Sequence, residues 1–235
     1  MTLIERLASA PGEAALVLDF DGVLAPIAPM PDDANLPPDA RDELERLVDR
    51  YALVAVVSGR DGDDVRRRVG VDRVVCVGSH GLELDSGADR WRQPVRDFAE
   101  RVGWHDTELK AVSVSFHFRN APDEGAAYAE LERVAADAER AGLRARFGRK
   151  LLEVLPPLDA NKGTAVRRLL SERGLRRALV AGDDTTDLDA FDALDGLALA
   201  VRVAVASDES PAALRAAADI VVHDTHELLD LLRQL

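Results

Sequence analysis

Disulfides cannot hold this chain together. Cys76 is the one cysteine among 235 residues, which leaves it no intrachain partner and points to a reducing, cytoplasmic setting. It sits in the apolar run VVCVG and reads as a small buried hydrophobe. A surplus of positive charge is also missing: 30 Lys and Arg face 43 Asp and Glu, for a formal net charge of −13. A surface of that sign repels nucleic-acid backbones and anionic lipid, so neither is an expected partner. An anionic ligand would need local positive charge or a metal in its own site. No apolar run approaches the length of a bilayer span. The opening MTLIERLASAPGEA carries Glu5 and Arg6 where a signal peptide needs an apolar core, so none is expected. Aromatic residues make up only 4%, and Trp91 and Trp104 read as core rather than as ligand platforms. His105, His223 and His226 have no metal-ligand company in sequence and read as surface residues.

What the chain does contain is apolar runs. AALVLDF (14–20), ALVAVVSG (52–59), RVVCVGS (73–79) and RALVAGDD (177–184) are continuous rather than alternating, as is LALAVRVA (197–204). Continuous runs suit strands buried on both faces. Helical patterns lie between them, including ARDELERLVDRY (40–51), with Leu44, Leu47, Val48 and Tyr51 on one stripe, and GTAVRRLLSERG (163–174). Strands alternating with helices predict right-handed crossovers and an α/β, doubly wound parallel sheet. The middle differs. VSVSFHFR (112–119) and LLEVL (151–155) alternate with period two around the amphipathic segment 124–142, which predicts a sheet covered by helices on one face. The expected organisation is a core of residues 1–83 and 158–235 with an inserted α+β unit at 84–157, in a monomer.

Two aspartates interrupt the first apolar run, LVLDFDGVLAPI. With 28 Asp in the chain, a D-x-D pair is expected about three times by chance, so Asp19 and Asp21 carry no weight alone. Their place does: they end a predicted strand, where open α/β sheets bind ligands. Ser58 and Arg60 end the second such strand, Asp183, Asp184 and Asp187 (GDDTTD) end a later one, and Asn161, Lys162 and Gly163 open a helix. Carboxylates gathered in one crevice repel each other, and oxygen ligands with no His or Cys favour Mg²⁺. Lys162 and nearby backbone amides would then hold a phosphate. Phosphate monoester hydrolysis demands accelerations approaching ~10²¹, roughly 29 kcal/mol, whereas general acid–base catalysis supplies only ~10² to 10⁴. A nucleophile, a metal and phosphate-holding donors are all required, and the sequence offers candidates for each.

In their order along the chain, DFDG, Ser58, Lys162 and GDDTTD resemble the four motifs of the haloacid dehalogenase superfamily of phosphatases. Within it the chain is similar to the trehalose-6-phosphate phosphatases across nearly its whole length, through DFDGVLAPI, SGR, GSHGLE, SVSFHFRN, GRKLLEVLPPLDANKG and GDDTTD followed by AF. The resemblance implies a haloacid dehalogenase-like core with an α+β cap domain that closes over the sugar. It implies Mg²⁺-dependent hydrolysis of trehalose 6-phosphate through an aspartyl-phosphate, in trehalose biosynthesis. Asp19 would be the nucleophile, Asp21 the acid and then base, and Ser58 and Lys162 the phosphoryl ligands. Asp19, the carbonyl of Asp21 and Asp183 would hold the metal, with Asp184 and Asp187 beside them.

Sugar hydroxyls need paired donors and acceptors. His117 and Arg119 are expected on one face of a strand, Lys150 and Glu153 around the turn into the next, and His80 and Glu83 near the hinge. With Arg60, these are the candidate substrate-binding residues, whereas Arg144, Arg146 and Arg149 read as a solvated basic strand. Two positions depart from the family pattern: Val23 replaces Thr after DG, and Leu188 replaces Glu after GDDTTD. The expected partner is a phosphorylated disaccharide. Two alternatives stay open: a phosphatase for another phosphorylated disaccharide or for glucosylglycerate phosphate, and a non-catalytic phosphosugar-binding protein. At 235 residues no fused synthase is expected.

Overall fold

The computed structural model describes residues 1–28, 30–148, 150–206 and 210–235, and divides into two compact units, Met1–Gly81 with Ala160–Leu235, and Leu82–Asp159. In the first unit α1 (Leu3–Ala8), β1 (Ala14–Leu18), α2 (Pro38–Val48), β2 (Leu53–Val57), α3 (Gly62–Val69) and β3 (Val75–Val77) come before the insertion. The second unit holds α4 (Arg92–Val102), β4 (Thr107–Leu109), β5 (Val114–His117), α5 (Glu124–Arg140), β6 (Arg144–Gly148) and β7 (Leu151–Leu155). The first resumes with α6 (Lys162–Glu172), β8 (Arg177–Gly182), α7 (Thr186–Asp192), β9 (Leu199–Val205), α8 (Ala212–Ala217), β10 (Ile220–Val222) and α9 (Thr225–Leu232). Arg149 lies outside the described residues. No helix among the described residues is long and apolar enough to cross a membrane.

Among the described residues of the first unit, six parallel strands run in the order β10-β9-β8-β1-β2-β3. Alternate residues face one apolar cluster: Leu16 and Leu18, Val54 and Val56, Leu179 and Ala181 meet Leu7 of α1, Leu44 and Leu47 of α2, Val65 of α3 and Leu228 of α9. The intervening Ala15, Val17, Ala55, Val57, Ala178 and Val180 are equally buried, and α6, α7 and α8 pack on β2, β8 and β9. Burial on both faces explains why these strands are apolar throughout, and it gives the expected doubly wound parallel sheet. β1 lies centrally, flanked by β2 and by β8, which follows the insertion. Its carboxyl end is therefore bordered by the ends of both neighbours, the place where such sheets bind ligands.

The second unit carries an antiparallel sheet in the order β4-β5-β7-β6. One face, with Val114, Phe116, Leu152 and Val154, packs on Phe98 of α4 and Leu131 of α5, and Trp91 and Trp104 pack against the same cluster, as core residues should. Asp123 caps α5, its side chain accepting from the Ala126 amide at 2.9 Å. The opposite face is polar, which is why the sequence alternates here.

Two local expectations are revised, and one strand had no expectation to revise. β5 stops at His117, and the Ala121 amide closes a turn on the Phe118 carbonyl, so Arg119 lies past the strand and does not share a pleat with His117. Cys76 is half-buried on the terminal strand β3 rather than fully enclosed, although burial still pushes its thiol up to about 11. The strand β10, only three residues long, is too short to leave a readable period.

Leu16 and Phe116 are both fully buried. Leu16→Ala is expected to cost ~2 to 5 kcal/mol and Phe116→Ala ~3 to 5 kcal/mol. Urea unfolding checks this through a lowered midpoint in each variant.

Candidate active site

The first strand leaves the sheet through Asp19, whose amide still donates to the Ala181 carbonyl of the β8 side at 3.0 Å. Phe20 and Asp21 then enter a tight turn, closed by Ala25 N–H to Phe20 carbonyl at 2.8 Å and Gly22 N–H to Ala25 carbonyl at 2.8 Å. Gly22 adopts φ 77°, and a Cβ there would lie 2.1 Å from Oδ2 of Asp183. The glycine thus lets the turn reach the β8 end. Asp19 is almost fully buried, with Oδ1 accepting from the Phe20 amide at 2.7 Å and Oδ2 lying 2.7 Å from Nζ of Lys162.

Lys162 is the first residue of α6, and its backbone is held by a reciprocal cap: Asn161 Oδ1 accepts from the Thr164 amide at 2.8 Å, and Thr164 Oγ1 accepts from the Asn161 amide at 2.9 Å. The ammonium is buried and bridges Asp19 and Asp187, each at 2.7 Å. Asp187 is itself enclosed at the start of α7. Its second oxygen accepts from the amides of Asp183 and Asp184, both at 3.1 Å, which fixes the turn after β8.

Oxygens of Asp19, Asp183 and Asp187 all lie within 4.8 Å of one another. Burial is the largest cause that pushes the Asp19 carboxyl up to about 7, with Asp187 adding repulsion against the pull of Lys162. Burial likewise pushes Asp183 up to about 8, reinforced by Asp19 and Asp187. At Lys162 burial disfavours the ammonium, but Asp187 and Asp19 outweigh it and hold the amine above its ordinary value. One lysine thus serves two buried carboxylates and a third, half-buried one. The all-oxygen donor set and its uncompensated negative charge fit a hard divalent cation such as Mg²⁺.

The other expected residues of this unit take distinct places. Ser58 is buried, and its Oγ accepts from the Arg60 amide at 3.2 Å. Arg60 grips Asp21 with a two-pronged fork, Nε to Oδ2 and Nη2 to Oδ1, both 2.7 Å. Of the candidate substrate ligands, it is therefore the one already committed to a proposed catalytic side chain. His80 lies in a turn where Ser79 and His80 have φ of 50° and 53°, backbone that side chains rarely adopt and that clusters at functional sites. Its ring packs so closely over Gly59 that a Cβ there would lie 2.5 Å from Nε2. Asp184 is not brought in: it is exposed, and its Oδ1 accepts from the Thr185 amide at 2.6 Å. Val23 is fully buried within the apolar cluster, so the missing hydroxyl is replaced by core packing, and Leu188 is half-buried on α7.

The remaining candidates belong to the second unit. On the polar face of its sheet, Glu108, Ser115, Glu153 and Arg146 stand directly opposite one another across four strands. Glu153 is buried, receiving Lys110 Nζ at 3.2 Å on one oxygen and the Arg146 guanidinium at 2.6 and 2.9 Å on the other. Arg146 is exposed on β6, as expected of a solvated strand residue, and it is also the partner of Glu153. The antiparallel pairing of β6 with β7 sets 146 against 153. Sequence reasoning also passed over Lys110 and Glu108. Glu108 Oε2 lies 3.0 Å from His117 Nε2. Lys150, at φ 63°, pairs with Glu124 at the start of α5. Glu83 is half-buried and Arg119 exposed. Arg144 donates to the Leu158 carbonyl at 2.9 Å.

The shifts of Asp19 and Asp183 have a testable sign. Both folded-state values lie above 3.8, so between about pH 4 and 8 the unfolded chain releases protons that the metal-free folded chain keeps. Folding stability from these groups is fully present below that window and is lost as pH rises through it. A cation that replaces those protons should therefore stabilise more at high pH. In EDTA-treated protein, the rise in Tm on adding Mg²⁺ is expected to be larger at pH 8 than at pH 5.5, and Asp183→Asn should shrink it. A rise independent of both would refute the metal assignment.

Known proteins resemble the chain in both sequence and shape. The family model described as trehalose-phosphatase matches residues 17–220. A protein of Mycobacterium tuberculosis named as an uncharacterized glycosyl hydrolase is 34% identical over 218 residues, covering 80% of this chain and 16% of that protein. The trehalose-phosphate phosphatase of Mycobacterium marinum is 35% identical over 224 residues, covering 85% of this chain and 57% of that protein. The chain thus spans about half the length of the curated phosphatase it matches. Among solved structures, the crystal structure of a trehalose-6-phosphate phosphatase related protein superposes with a TM-score of 0.75 at 24% identity, covering 93% of this chain and 95% of that one. That likeness carries the fold, and the family match, running from the end of β1 to β10, spans every candidate residue of the site: the chain belongs to the trehalose-phosphatase family.

Proposed function

We propose that the chain hydrolyses trehalose 6-phosphate to trehalose and phosphate through an aspartyl-phosphate on Asp19, as a phosphomonoester hydrolase. The observation that carries the reading is the buried Asp19 carboxylate at the carboxyl end of the central strand, held by Lys162 at 2.7 Å with Asp183 alongside. Asp19 attacks phosphorus, and the bond from phosphorus to the sugar oxygen breaks. Asp21 gives its proton to that departing oxygen. Asp21 then takes a proton from water as the water oxygen attacks phosphorus, and the bond to Asp19 breaks, releasing phosphate and restoring the carboxylate. Lys162 and Ser58 bind phosphoryl oxygens, and the pull of Lys162 favours the ionised Asp19 against the burial that raises it. Asp19 and Asp183, with the carbonyl of Asp21, would hold Mg²⁺, with Asp187 beside them; the ion when bound neutralises the repulsion between an anionic nucleophile and an anionic substrate. In this reading the α+β unit is the cap domain, and His117, Arg119, Lys150 and Glu153, with His80 and Glu83, meet sugar hydroxyls.

Purified protein with Mg²⁺ is expected to release phosphate from trehalose 6-phosphate faster than from sucrose phosphate or glucosylglycerate phosphate. Asp19→Asn should abolish the release, and retention of full activity by that variant would refute the nucleophile. Arg119 is exposed, so Arg119→Ala should leave the fold intact. It is expected to raise KM for trehalose 6-phosphate ~10-fold, the loss of about 1.4 kcal/mol of binding. KM for p-nitrophenyl phosphate, which has no sugar to recognise, should stay unchanged.

A further inference from the structure

The fork between Arg60 and Asp21 is the end of a longer chain of contacts. The third guanidinium nitrogen of Arg60, Nη1, lies 3.3 Å from Oδ2 of Asp64, one turn along on α3. That same Asp64 oxygen receives Nε of Arg68 at 2.7 Å, and Arg68 Nη1 donates to the carbonyls of Asp32 at 3.1 Å and Ala34 at 2.6 Å. From below, the Arg60 guanidinium carbon stands 5.6 Å from the centre of the Phe20 ring. Arg60 is therefore braced on three sides, by the ring, by Asp64 and by Asp21, and it keeps only 14% of its side-chain surface. Asp64 keeps 24%. Burial pushes the Asp64 carboxyl up, but Arg68 and Arg60 together hold it below the ordinary range, so it stays anionic beside both guanidinium groups.

Charge and geometry give this arrangement a consequence. A guanidinium offers its nitrogens in one rigid plane, so a contact at Nη1 sets the direction in which Nε and Nη2 point. Here those two meet both oxygens of Asp21. We propose that Asp64 is a positioning residue for the reaction: through Arg60 it fixes the place of the Asp21 carboxyl relative to the departing sugar oxygen. The inference rests on the phosphatase reading and on the role of Asp21 as proton donor. It assigns Asp64 no contact with substrate. Asp64 also links the active-site turn to the segment at 32–34 through Arg68, so a single carboxylate ties α3, the second strand end and the stretch after β1 into one frame.

A leaving-group comparison tests this. A sugar alkoxide needs a proton to depart, whereas p-nitrophenolate does not. The ratio kcat/KM covers formation of the phosphoenzyme alone, the step in which Asp21 acts as acid. Misplacing a catalytic group by about 1 Å costs up to ~10²-fold. In Asp64→Asn, kcat/KM for trehalose 6-phosphate is expected to fall by ~10-fold or more, with a much smaller fall for p-nitrophenyl phosphate. Arg67 also contacts Asp64, at 3.0 Å from its exposed side, so Arg67→Gln disturbs the same carboxylate without touching Arg60 and should show no such selectivity. If Asp64→Asn melts far below the wild type, Asp64→Glu keeps the charge for Arg68 while displacing the contact to Arg60, and the same selective loss is expected. Equal losses on both substrates, or none, would overturn the proposal. Wild-type protein inactive on both substrates would instead remove the phosphatase reading itself.

Discussion

The ammonium of Lys162, enclosed between Asp19 and Asp187, is the interaction on which the rest of the first unit's site depends. It joins the end of β1 to the starts of α6 and α7, three points far apart in sequence. Its position has a local cost, because the first turn of a helix carries partial positive charge and disfavours a cation. Burial adds a further cost. Two carboxylates offset both. Removing the lysine would leave the two enclosed aspartates, Asp19 and Asp187, with no counter-charge, so the sheet end and the helix starts are held together by groups that could not be buried separately.

The same economy separates the roles of five chemically identical side chains. Asp187 uses one oxygen for Lys162 and the other for two backbone amides, which makes it the residue that shapes the turn after β8. Asp19 and Asp183 are enclosed with fewer donors, and their carboxyls rise into the neutral range. Asp21, more exposed, is forked by Arg60, and Asp184 turns to its own neighbour Thr185. Environment rather than residue type thus separates candidate nucleophile, metal ligand, acid and scaffold. The turn that makes this possible relies on a glycine at position 22, where a side chain would strike Asp183.

In the second unit one sheet face is core and the other a row of charge. The buried Glu153 takes a lysine on one oxygen and an arginine on the other, so its carboxylate is matched on both sides. Such a pair costs much to bury and specifies a unique arrangement when every atom is satisfied. Ser115, opposite Glu153 and Glu108, is enclosed in the same row. The departures at Val23 and Leu188 belong to the other unit, and both are absorbed by packing: Val23 joins the apolar cluster around Leu18 and Phe20, and Leu188 is half-buried on its helix.

Much of this was written in local order. Continuous apolar runs determined the strands of the parallel sheet, because burial on both faces leaves no room for polar alternation, and period-two alternation marked the one-sided sheet of the insertion. Strand ends marked Asp19, Ser58, Asp183 and the helix start at Lys162, because a sheet's crevice lies at its carboxyl edge. Partnership was not local. That Arg60 forks Asp21, and that Asp187 rather than Asp184 stands at Lys162, depend on distances between segments tens of residues apart and on which of many equivalent carboxylates is enclosed. With 28 aspartates, the sequence determined where acids could gather, and only the tertiary structure, by withdrawing some from water and leaving others in it, decided what each one does.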